Sequence, residues 1–140
     1  MLVQLIYVST ATTLFEDSVE LERILESAAR NNASREITGM LLYAGGTFLQ
    51  LLEGEDAAID EIWETISQDP RHRGASVIDR SEISERSFSR WHMGFRHLGS
   101  SDAEAHPAYA PFFRYGFDPQ SIGAKPGIAL DILKAFAARP

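Results

Sequence analysis

A pair of glycines constrains the fold of this chain more than any other feature. Residues 37–43 and 47–53 are two apolar runs joined by Ala44-Gly45-Gly46. Glycine takes positive φ without steric cost, which a tight turn between antiparallel strands requires, so the spacing predicts a β-hairpin. On either side of it the hydrophobic period switches between that of a strand and that of a helix. Residues 2–9 are rich in β-formers, with Val3, Leu5 and Tyr7 on one face, and read as a first strand. Residues 10–15 read as a loop. Asp17 with Glu20 three residues later has the form of a capping box. It opens a helix to about Asn31 whose apolar stripe is Leu21, Ile24, Leu25 and Ala28. A second helix follows Gly54, carries Ile59, Ile62, Trp63 and Ile66 as its stripe, and is stopped by Pro70. Residues 75–83 read as a fourth strand. Residues 89–98 read as a fifth, with Trp91, Met93 and Phe95 alternating to one side.

That order, βαββαββ, is an α+β fold of the ferredoxin-like plan: a mixed five-stranded sheet with two helices on one face. The other face carries Ile6, Val8, Leu49 and Leu51 and needs a cover. The last third of the chain is the expected cover. Pro107, Pro111 and Pro119 bracket a short aromatic helix over residues 109–115, and Ala129, Ile132, Leu133 and Phe136 form a further stripe beyond Pro126. The expected organisation is therefore a ligand-binding unit over residues 1–98 and a C-terminal helical cap over residues 99–140.

Composition removes several functions. A chain of 140 residues suffices for one domain with a real core. It has no cysteine, which removes disulfides, thiolate metal sites and cysteine nucleophiles. His72, His92, His97 and His106 show no paired ligand spacing, so no metal site is expected. A net charge of −7 argues against nucleic acid as a partner. No apolar run approaches the roughly 18 residues of a membrane span, and no basic or cleavable segment precedes the first strand. No membrane association and a cytoplasmic location are the expectations. No Ser-His-Asp order, phosphate loop or carboxylate pair has a catalytic spacing, so no enzyme is expected. Asp56, Asp60, Glu61 and Glu64 read as the solvated side of the second helix.

Three kinds of polar residue stand where apolar ones belong. Gln50 lies between Phe48 and Leu52 on one strand face. Asn31 and Asn32 continue the buried stripe of the first helix as it ends, and Tyr7 shares a face with Val3 and Leu5. If the faces of the first and third strands coincide, these groups converge beneath the helices. A buried amide or phenol without a partner costs about 1–3 kcal/mol, and a planar ligand with alternating donors and acceptors would satisfy all of them. The plainer readings are an asparagine C-cap, a core tyrosine with its hydroxyl at the rim, and a glutamine on a solvated face.

Several strings, in order, resemble the BLUF family of blue-light sensors over residues 2–98. They are Leu5-Ile6-Tyr7-Val8-Ser9, Asn31-Asn32, Ile37-Thr38-Gly39-Met40-Leu41-Leu42-Tyr43, and Phe48-Leu49-Gln50 with Leu52-Glu53-Gly54. Asp69-Pro70-Arg71-His72, Glu85-Arg86-Ser87-Phe88 and Trp91-His92-Met93 follow. The tail resembles, more loosely, the two-helix cap of short stand-alone members. The resemblance implies a non-covalently held flavin: FAD, with FMN or riboflavin as alternatives. It implies that Tyr7 gives an electron and then a proton to excited flavin, and that Gln50 bridges Tyr7 and the ring. Asn32 and Asn31 would meet the ring's polar edge. Asp69, Arg71 and His72 would lie at the helix-two end of the pocket, with Ile24 and Ile66 as apolar walls. Trp91 and Met93 would relay the signal. Without cysteine, a cysteinyl–flavin adduct is excluded. Thr65 stands where some relatives have arginine and Ala28 where some have serine, which leaves dinucleotide against mononucleotide open. With no output domain expected, the signal would pass to a separate protein or through self-association as a homo-oligomer. The competing reading is a flavin-free ferredoxin-like regulatory or protein-interaction module, with Tyr7, Asn32 and Gln50 satisfied by water.

Overall fold

The hairpin forms as the glycines require. In the computed structural model, β2 (Thr38–Ala44) and β3 (Thr47–Glu55) pair antiparallel with Ala44 opposite Thr47, leaving Gly45 and Gly46 as the two-residue turn at φ 57° and 78°. The structure describes residues 1–12, 18–89, 92–98, 117, 120, 122 and 127–137; within these, the side chains of 18–22, 24, 96, 97 and 137 are not described. The Asp17–Glu20 capping box, the aromatic segment 109–115, Trp91 and the side chain of Ile24 thus lie outside the described residues.

β3 is the centre of the sheet, whose order is β4-β1-β3-β2-β5. β1 (Leu2–Ala11) pairs antiparallel with β3, and its register sets Tyr7 opposite Gln50. β4 (His72–Glu82) pairs antiparallel with β1 at one edge. At the other edge, β5 (Gly94–His97) runs parallel to β2. Two register shifts interrupt the β1–β4 ladder, between Ile6 and Tyr7 and between Val8 and Thr10. They flank the strand segment that carries Tyr7. Bulges of this kind re-aim side chains and recur beside functional sites. Gly39 answers a different demand. A Cβ there would come within 2.1 Å of the Leu51 carbonyl oxygen, so only glycine lets β2 lie this close to β3.

Two helices occupy the sequence positions expected of them. α1 (Ser18–Ser34) outlasts its expected end at Asn31, because the chain leaves the helix at Glu36, a left-handed residue at φ 55°. α2 (Asp56–Ser67) buries Ile59 and Ile62 against Val3, Leu5, Tyr7, Ile37 and Leu52. The opposite face presents Ile6, Val8, Met40, Leu42, Leu49 and Leu51. A third helix, α3 (Ile128–Ala137), covers it with Ala129, Ile132, Leu133 and Phe136, as the stripe predicts. Each fully buried aliphatic side chain contributes about 1.5–3 kcal/mol, so this second core is a major source of stability.

Two strands differ from their expected extents. β4 begins at His72, three residues earlier than alternation indicates, because His72 and Arg73 pair with Ala11 and Thr10 on a longer β1. β5 is shorter than residues 89–98. The His92 carbonyl accepts from Asn32 Nδ2 and its ring Nδ1 bonds the Ile37 carbonyl, so this position leaves the ladder.

Candidate functional site

Strand parity puts the polar residues on the α2 face. Tyr7 and Ser9 project from β1, and Gln50 projects from β3 beside Phe48 and Leu52. A cleft of about 120 Å³ opens over them, roofed by α1 residues Leu25, Ala28, Asn31 and Asn32 and by Ile62, Thr65 and Ile66 of α2. Asp69, Arg71 and His72 close one end, and Ser27, Leu41, Phe48 and Met93 complete the lining.

The Tyr7 hydroxyl donates to Gln50 Oε1, and Gln50 Nε2 donates to the Met93 sulfur at 3.3 Å. Both residues are almost wholly buried, Tyr7 at 4% and Gln50 at 5% exposure. Burial first, and the Asp69 carboxylate second, push the Tyr7 pKa well above its usual value of 10. Trp63 meets the Tyr7 ring edge-on, with centroids 5.2 Å apart, and the His72 ring lies 6.2 Å away. Asn32, 2% exposed, donates from Nδ2 to the His92 carbonyl at 2.7 Å, which ties the end of α1 to the lead-in of β5. Asn31 sits at the exposed rim. Its backbone carbonyl accepts from Ser34 Oγ and Arg35 Nη1. The Arg71 guanidinium grips Asp69 at 2.5–3.0 Å and holds that carboxyl below the usual carboxylate range. His72 donates from Nε2 to the Ile66 carbonyl at 2.6 Å.

The sequence-predicted Tyr7, Asn31, Asn32, Gln50, Ile66, Asp69, Arg71, His72 and Met93 thus line one cleft. Pattern reading passed over Ser9, Ser27, Leu41 and Phe48, which also line it, and Trp63, which meets Tyr7 from outside the lining. Trp63 looks like an ordinary member of the α2 stripe, and its contact with Tyr7 depends on how α2 docks. Ser9 differs from a core residue only in its hydroxyl. Alternation places it on the Tyr7 face, which was the available signal.

The cleft suits a planar, polar-edged heterocycle. Ser9 Oγ and His72 Nδ1 are buried with no partner among the described residues. Leu25, Leu41, Ile62 and Ile66 supply apolar walls, and the amides and phenol supply donors and acceptors in a confined space. Among the described residues no group of three or more metal-ligating side chains comes together, and no described helix is long and apolar enough to cross a membrane.

A ferredoxin-like sheet with a phenol–amide pair buried under its helices defines a ligand-holding sensor class rather than a plain core. The family model described as "Sensors of blue-light using FAD" matches residues 2–94, and the chain belongs to this BLUF family of blue-light-sensing flavoproteins. Part of the chain also resembles part of much longer proteins. The chain is 37% identical over 91 residues to the photoactivated adenylate cyclase subunit beta of Euglena gracilis, covering 64% of this chain and 10% of that protein. It is 42% identical over 53 residues to the blue light- and temperature-regulated antirepressor BluF of Escherichia coli K12, covering 38% and 13%. The chain therefore spans about a tenth of the length of the curated relatives it matches. Solved structures match over nearly its whole length. BlrB, a BLUF protein in its dark state, is 28% identical at TM-score 0.78, covering 99% of this chain and 97% of that one. BlsA in its photo-activated state is 27% identical at TM-score 0.79, covering 100% and 96%. Klebsiella pneumoniae BlrP1, solved with FMN and cyclic diGMP, is 28% identical at TM-score 0.68, covering 99% and 35%.

Proposed function

We propose that this domain senses blue light through a proton-coupled change at the Tyr7–Gln50 pair and passes the change to another protein. The observation that carries the reading is the bond from the Tyr7 hydroxyl to Gln50 Oε1 inside the cleft. Flavin held there by Asn31, Asn32, Gln50, Asp69, Arg71 and His72, with Ile24 and Ile66 as walls, supplies blue-light absorption and, once excited, an electron acceptor. Residues 1–98 form the flavin-binding unit in this reading, and residues 99–140 its cap.

Tyr7 is the electron source. In the dark its raised pKa keeps the phenol protonated throughout the physiological range. A phenol that has lost an electron becomes a strong acid, and Gln50 Oε1 is the atom already bonded to receive the proton. A primary amide carries a donor and an acceptor on one group, so transient protonation lets it rotate or tautomerise and exchange their positions. The proton and the electron then return to Tyr7, and no net oxidation remains. The opposing bond is weak. Thioether sulfur is a poor acceptor, so Gln50 Nε2 gives up Met93 at little cost. With flavin bound in the cleft, the reversed Gln50 amide would offer it a stronger donor, and a stronger hydrogen bond to the chromophore would shift its absorption to the red. The free energy involved is about one hydrogen bond, ~1 kcal/mol, enough to bias a contact through Trp91 and Met93 but not to refold the domain.

The antirepressor relative supports a protein as the recipient of the signal. Cyclase activity is a property of the long Euglena proteins; for this chain we propose a sensor and not an enzyme. The test has two parts. Acid or heat should release free flavin from purified protein, identified by chromatography. Tyr7→Phe and Gln50→Leu should each stay yellow and lose the red-shifted state. A colourless protein that takes up no added flavin sinks the reading, and a variant that still red-shifts reversibly removes that residue from the mechanism.

A further inference from the structure

On the face of the sheet opposite the cleft, one acidic side chain is fully enclosed. Glu53 is 0% exposed and stands on β3 three residues beyond Gln50. Its carboxylate accepts from Thr38 Oγ1 at 3.0 Å, the Ser87 N–H at 2.8 Å and the Phe88 N–H at 2.7 Å. Arg86 completes the arrangement. Its Nη1 donates to Thr38 Oγ1 at 2.9 Å and to the Glu53 carbonyl at 2.8 Å, and its Nη2 donates to the Glu36 carbonyl at 2.7 Å. Glu36 is the left-handed residue that ends α1, so the guanidinium clasps a strained turn.

These bonds act on one segment, the crossover that carries the chain from β4 at one sheet edge to β5 at the other. The crossover is pinned at residues 86–88 by Arg86 and Glu53. It is pinned again at His92, whose carbonyl accepts from Asn32 and whose Nδ1 donates to the Ile37 carbonyl at 3.0 Å. Met93 follows at once, with its sulfur on Gln50. We propose that Glu53 and Arg86 are positioning residues for the light response: they fix the crossover against β3 so that Met93 meets the Gln50 amide. The proposal rests on the photosensor reading of Gln50. Stability alone does not call for a buried carboxylate, since apolar residues of similar volume commonly serve as well. What three convergent donors add is a single geometry. Because Glu53 and Gln50 share one strand, the latch holds Met93 in register with the residue that Met93 touches.

The test uses flavin-loaded protein with its methionines labelled at the ε-methyl. The sequence has three: Met1, Met40 and Met93. Glu53→Gln keeps the shape but turns one acceptor oxygen into a donor facing the crossover. It should move the Met93 methyl resonance and change the rate of thermal return from the lit state by roughly fivefold, the size of about one displaced hydrogen bond. In a Met93→Leu background the same change should alter that rate by less than about twofold, since the two residues act as a unit. A Glu53→Gln protein with a lower melting temperature but unmoved Met93 resonance and recovery rate overturns the proposal. So does an equal rate change in both backgrounds. Should Glu53→Gln not fold, Arg86→Lys, which keeps the charge and loses the fork, is read the same way. A wild-type protein that shows no red shift contradicts the photosensor reading before any variant is made, and the Met93 resonance still decides the latch.

Discussion

The two faces of the sheet are built from the same strands and differ in kind. The face under α3 carries Ile6, Val8, Met40, Leu42, Leu49 and Leu51 and is apolar across its centre, with polar Glu53 and Thr38 confined to one end. The face under α1 and α2 alternates in composition: Val3, Leu5 and Leu52 are apolar, but Tyr7, Ser9 and Gln50 sit among them. One face is filled by the chain's own helix. The other leaves a cleft and two buried polar atoms with no partner among the described residues, Ser9 Oγ and His72 Nδ1. A buried polar group is tolerated only where something satisfies it, so the face with such groups is the one built for a ligand. Strand parity thus separates the face that seals from the face that binds, with Glu53 reaching the second only through the crossover.

Removing apolar volume from the sealed face tests that separation with the largest effect. Leu133→Ala should cost about 2–5 kcal/mol in chemical denaturation, because Leu133 is fully buried against the sheet. The folded fraction should keep an unaltered dark spectrum. A change of spectrum in folded Leu133→Ala would mean that the two faces are not independent.

A smaller effect belongs to the cleft and appears with pH. The Tyr7 pKa is raised in the folded state, so the unfolded chain releases this proton first, near its usual pKa of 10. The stabilisation is fully present below that pH and is lost as pH rises beyond it. The difference in unfolding free energy between wild type and Tyr7→Phe should therefore be flat through neutral pH, about 1 kcal/mol, and move in favour of the variant above pH 10. A difference that stays flat to strongly alkaline pH would show that Tyr7 is not held protonated by its surroundings.

Much of this architecture was legible in the residues, for physical reasons that differ by element. Gly45-Gly46 predicts the hairpin because few residues adopt its dihedrals. The α3 stripe of Ala129, Ile132, Leu133 and Phe136 predicts its buried face through helical period. Tyr7 opposite Gln50 is different in origin. Alternation gives each residue a face, but a one-residue slip between β1 and β3 would separate them, and register is a property of the assembled sheet. The role of Glu53 was hidden for the same reason. As a residue in an apolar strand it looks like the strand's solvated end, whereas its partners, Thr38, Ser87 and Phe88, come from β2 and the crossover. Trp63 against Tyr7 depends on helix docking, which no periodicity encodes. β5 is shorter than its alternation because the backbone carbonyl of His92 is committed to the Asn32 side chain.

Light is expected to reverse the Gln50 amide and release Met93 while leaving the flavin's covalent bonding unchanged. An absorption spectrum of the purified protein, taken in the dark, after blue light and after return to darkness, tests it most directly. The expected result is a flavin spectrum that moves modestly to the red as a whole and returns in the dark. A flavin band that bleaches on illumination, or one that does not move at all, would contradict it.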